Sequence, residues 1–174
     1  MQYRISSTEI TAIIYEAVDT AIRAGYMQAA SLPSDTYKTT ERRLYAYPVL
    51  QDKIMFDIEK LESLRANGIP DQSKSIVRFR RAGMRLSPDE ILDALIFDLS
   101  ATLAADQYEA DTIAGALKTI ENDMYYDAVA GKYLRGESDD DIAETIPCDP
   151  STIRRNRGRL IRRLAVWLYG TQAI

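Results

Sequence analysis

Residues 148–163 read CDPSTIRRNRGRLIRR and hold six arginines in a chain whose formal net charge is -4. Guanidinium groups at this density suit one kind of chemistry. They neutralise phosphates and release the counterions condensed along a nucleic-acid backbone. They also grip guanine O6 and N7 with paired hydrogen bonds. On a helix, at ~100° per residue, Ile153, Leu160 and Leu164 fall on one side, and Trp167 and Leu168 continue it, with Trp167 expected as a core anchor. Ser151, Arg155 and Arg162 fall opposite, flanked by Thr152, Arg154, Arg159 and Arg163. Arg157 lands beside the apolar stripe, where its stem packs and its charge reaches outward. The first turn of a recognition helix reaches base edges, and later turns reach the backbone. The pattern predicts Ser151, Thr152, Arg154 and Arg155 as base-edge contacts to double-stranded DNA, and Arg159, Arg162 and Arg163 as phosphate contacts.

Positioning that face requires a second helix. After Gly136, Ser138 is placed to cap a helix whose first turn holds Asp139, Asp140 and Asp141, where the macrodipole favours negative charge. No calcium-loop spacing follows, so these acids read as helix-terminal charges rather than metal ligands. Ile142, Ala143 and Ile146 form the apolar side, and the small Ala143 lets a second helix approach. Pro147 and Cys148 break the helix; Asp149 caps the next, Pro150 takes its first position, and it runs to about Tyr169. Residues 138–169 thus fit a helix-turn-helix. Cys148 reads as a small core residue of the turn. A purely solvated arginine helix would carry acidic i,i+4 partners, which this one lacks.

The rest of the chain reads as helical. Ser6 to Glu9 has the S-x-x-E form of a capping box ahead of a helix over about 7–29. A loop over 31–40 precedes a helical region over about 40–66, which Pro48 divides into a short helix at 42–47 and a longer one behind it. Leu50, Ile54, Ile58, Leu61 and Leu64 give the longer part an apolar face, with Asp57 where a strict heptad wants an apolar residue. That stripe serves either intramolecular packing or a homo-oligomer seam. Tyr45 and Tyr47, beside Leu44 and Pro48, read as core or interface. Gly68 and Pro70 stop the helix, and the basic stretch 70–86 reads as a linker. Ser87 to Glu90 caps a helix with Ile91, Leu92, Leu95, Ile96, Leu99 and Leu103 inward. Another helix from about Ala110, with Ile113, Leu117, Ile120, Met124, Val129 and Tyr133 inward, ends at Gly136. The expected class is all-α: a helical N-terminal region over 1–69, a linker over 70–86, and a helical domain over 87–174 that ends in the helix-turn-helix.

Composition narrows the function. From Cys148 onward six Arg face one Asp, a charge of +5, so the preceding 147 residues carry -9. An acidic body would turn the basic face toward DNA by repelling it elsewhere. No apolar run spans a bilayer, and MQYRISSTEI lacks the order of a secretory signal. A single cysteine fits a reducing cytoplasm. With no histidine, no Walker-type glycine loop and no G-x-S-x-G, neither an enzyme nor a cofactor site is expected.

The stretch SDDDIAETIPCDPSTIRRNRGRLIRRLAVWLYG resembles the C-terminal helix-turn-helix of RinA/ArpU-type phage transcriptional regulators, itself similar to sigma factor region 4. TERRLYAYPVLQDKIMFDIEKLESL, at 40–64, is similar to that family's N-terminal Y-x-Y-P segment and following helix. The resemblance implies a phage or prophage activator of late or wall-lysis genes that binds promoter DNA and touches host RNA polymerase. Pro147 departs from the Gly or Asn usual in the turn, and the segments 7–29 and 70–110 exceed the shorter family members. Two alternatives stand beside it. One is a phage small-terminase-like packaging protein; the other is a helical adaptor that binds RNA polymerase without touching DNA.

Overall fold

The computed structural model describes residues 35–69 and 87–173, together with Asp19. The helix expected over 7–29, Asp19 apart, and the linker expected over 70–86 lie outside them. The described residues are helical, with no strand among them, so the all-α class holds for them. They form α1 (Thr36–Asn67), α2 (Pro88–Lys118), the single turn α3 (Tyr126–Val129), a π-helical stretch (Ala130–Arg135), α4 (Asp139–Thr145), α5 (Pro150–Tyr169) and a final 3-10 turn (Thr171–Ala173).

Three expected boundaries move. Pro48 sits inside α1 without ending it, and α1 begins at Thr36, within the expected loop. Proline denies one amide donor to the carbonyl of Leu44, yet the fully buried Leu44 and the helix on both sides keep the path continuous. No helix begins at Ala110: α2 runs through it to Lys118, because 104–110 contains neither Gly nor Pro. The break falls at 119–125, around Asn122 and Asp123, which favour turns.

By contacts the described residues divide into two compact units. In the unit formed by 52–69 and 87–107, Leu61, Ile91 and Leu103 are buried. Asp57 is buried with them, and the Lys53 ammonium serves both Asp57 (2.7 Å) and Asp106 (2.5 Å). Leu92, Leu95, Ile96 and Leu99 are only half-buried. At the start of α2 the Ser87 amide donates to Glu90 Oε2, and the Glu90 amide returns to Ser87 Oγ, a reciprocal cap.

The second unit comprises 35–51 and 108–173. Its core gathers Leu44 of α1, Ile113, Ala116 and Leu117 of α2, Ile120, Val129 and Tyr133 of the middle segment, and Leu160, Ile161 and Leu164 of α5. Polar ties edge this core. Arg43 holds Glu109 through two nitrogens (2.6 and 2.9 Å) and lies over the Tyr169 ring. The Tyr133 hydroxyl donates to Glu41 at 2.6 Å, and Tyr45 packs edge-on against the Tyr133 ring. The π-helical stretch ends at Gly136, whose φ of +72° suits glycine. Met124, expected inward, is 75% exposed, because it falls in the turn after α2 rather than on a helix face.

Candidate nucleic-acid interface

The candidate face is built on α4 and α5. Ser138 caps α4: its hydroxyl accepts from the Asp141 amide, and Asp141 accepts from the Ser138 amide in return. This reciprocal cap gives Asp141 a structural role, and the hydrogen bond that the Ser138 hydroxyl donates to its carboxylate, ahead of the one from the Ser138 amide, holds that carboxyl below the ordinary range. Ile146 closes the helix in an extended conformation, as a residue before proline prefers. The turn runs over 146–149, and the Cys148 amide donates to the Ile146 carbonyl. Asp149 occupies the cap position of α5, but its side chain makes no cap bond; its carbonyl instead accepts from the amides of Thr152 and Ile153. Ala128, Ile142 and Ile153 form a small core beneath the turn, with Ala143, Ile146 and Cys148 packed against it.

Helix α5 divides cleanly by face. Ile153, Leu160, Ile161, Leu164 and Ala165 are buried, while Ser151, Arg154, Arg155, Arg159, Arg162 and Arg163 are exposed. Thr152 is half-buried, and its carbonyl accepts from the Asn156 side chain. Trp167, expected as a core anchor, is instead 47% exposed and lays its ring against the backbone at Gly115.

The arginines differ in what they already hold. Arg154 donates through Nε to Asp139 (2.7 Å), and Arg157 donates to the other oxygen of the same carboxylate (2.5 Å). Arg157 is only 12% exposed, so it is a fastening between α5 and the start of α4. Burial opposes its charge most strongly, but the Asp139 hydrogen bond together with the fields of Asp139, Tyr133 and Tyr37 outweighs it and favours the charged form. The Arg157 hydrogen bond, ahead of the one from Arg154, draws the Asp139 carboxyl down to about 2. Arg159 gives both terminal nitrogens to Asp123 (3.0 and 2.9 Å) and lowers that carboxyl too. Arg162 lies 5.7 Å over the Tyr37 ring, a cation–π contact. Arg163 is exposed and within electrostatic reach of Asp123. Arg155 has no partner among the described residues.

Six of the seven residues picked out by sequence therefore share one exposed surface, and Thr152 lies at its edge. What sequence reasoning missed are the carboxylates. The missing i,i+4 acids are supplied by Asp139 and Asp123, 15 and 36 residues away from the arginines they pair with. Asp139 is legible in the sequence only as a first-turn acid of its own helix. Nothing local marks Asp123 as a partner of Arg159. Among the described residues no group of His, Cys, Asp and Glu is placed to hold a metal ion, and no helix is long and apolar enough to cross a membrane. No family model, curated protein or solved structure matches the chain.

Proposed function

We propose that this chain is a DNA-binding transcriptional regulator of the RinA/ArpU type, in which α4 and α5 form the helix-turn-helix and α5 enters the major groove. One observation carries the reading: α5 buries Ile153, Leu160, Ile161, Leu164 and Ala165 on one side while presenting five exposed arginines on the other. In this reading Ser151, Thr152, Arg154 and Arg155 meet base edges, and Arg159, Arg162 and Arg163 meet phosphates. The partner is promoter DNA, with host RNA polymerase as a protein partner.

A second reading has a specific observation in its favour. Asp139 and Asp123 already pair with three of the six arginines, which suits a helical adaptor that docks on protein. Selection of bound duplexes from a random pool, followed by titration across salt, separates the two. A regulator enriches a sequence and loses affinity with a log–log slope near -0.9 per phosphate contact. An adaptor enriches nothing and shows a flat response.

A further inference from the structure

We propose that Asp123 limits how tightly this chain holds DNA of arbitrary sequence, by occupying Arg159 and withholding it from phosphates. The inference rests on the DNA-binding reading above.

The argument starts from how Asp123 is held. It lies in the turn after α2, where its amide donates to the Ile120 carbonyl and its own carbonyl accepts from Tyr126. Its Oδ1 also accepts from the Tyr125 amide at 3.0 Å. The carboxylate is thus held in place by its own turn as well as by the arginine. Its side chain is 15% exposed, whereas that of Arg159 is 49% exposed at the rim of the basic face.

A guanidinium grips an anion through one of two forks: its two terminal nitrogens, or Nε with one of them. In Arg159 the terminal pair is on Asp123, and Nε donates to Asn156 Oδ1 at 3.3 Å. Both forks are engaged in the unbound protein, so Arg159 reaches a phosphate only by giving up Asp123, and until then its charge is balanced on the spot. The Asp139 ties differ, because there the nearly buried Arg157 makes the carboxylate part of the packing between helices. The Arg159 pair is a rim pair, weak enough to be exchanged. Random DNA meets a face with one fewer working cation, and a larger share of affinity falls to the base contacts.

The test is Asp123→Asn in the full chain, with Asp111→Asn as a control that makes the same charge change on an exposed part of α2. Asparagine keeps an acceptor for the Tyr125 amide; Asp123→Ser does the same and serves if the first variant melts early. The expected result on random duplex DNA at ~0.1 M salt is roughly 3- to 10-fold tighter binding and a salt slope steeper by about 0.9. Asp111→Asn stays within about twofold of wild type. Asp123→Asn binding no tighter than Asp111→Asn overturns the inference alone. A wild-type protein that binds no DNA even at low salt overturns the DNA reading, and the inference with it.

Discussion

Asp139, the first residue of α4, accepts a 2.5 Å hydrogen bond from Arg157, about two turns into α5. The pair fastens the two helices at the end opposite their connecting turn, and Arg154 adds a second bond to the same carboxylate. The basic face of α5 is therefore held from below by apolar packing and from the side by charge.

That carboxyl titrates at about 2, below its usual range. A depressed carboxyl contributes stability that is present above its unfolded value, near 3.9, and is lost as pH falls through the folded value. Thermal melts between pH 5 and 2 should show this loss in wild type. Asp139→Asn should be less stable at neutral pH by on the order of 1–2 kcal/mol, with a shallower decline in acid. An unchanged acid profile would remove the pair from the stability argument.

Gly131 is set tightly against α4. A Cβ there would come 2.8 Å from Cγ1 of the fully buried Ile142. Gly131→Ala should cost about 1–3 kcal/mol in denaturant unfolding. Gly136→Ala, which meets open space at a φ of +72°, should cost only about 1 kcal/mol. Equal costs would contradict the close approach.

Arg155 and Arg162 should part company in DNA binding. Arg155 has no partner to give up among the described residues, and under the proposed base-edge role Arg155→Ala should weaken the selected site by about 1–3 kcal/mol and relax its sequence preference. Arg162→Ala should weaken all duplexes about equally and flatten the salt slope by about 0.9. If both variants bind as wild type does, α5 is not the recognition helix.

Lys53 neutralises two acids, one of them the buried Asp57. Lys53→Met removes the one cation that bonds this carboxylate among the described residues and should cost about 1–2 kcal/mol, discounted because the lysine is half exposed. Adding Asp57→Leu should restore most of the loss. A double variant as unstable as the single one would show that the ammonium matters for something other than its charge.

Local interactions made several features legible. The Ser87 and Ser138 caps join residues three apart, and Gly136 ends its element by a conformation that only a residue without Cβ adopts cheaply. The apolar stripe of α5 followed from helical periodicity alone. The continuity of α1 through Pro48 did not, because a proline's lost donor is a local cost that packing of Leu44 elsewhere offsets. Nor did the outward position of Met124, since its period was counted along a helix that had already ended at Lys118.

By itself, then, the sequence determined the all-α class of the described residues, the two helices of the 138–169 segment and which side of α5 is basic. These depend on interactions within a turn or two of the chain. Only the tertiary structure decided which of those arginines have charge to spare. Asp123 and Asp139 reach Arg159, Arg154 and Arg157 across 15 to 36 residues, and such pairings follow from packing three elements together, which no periodicity encodes.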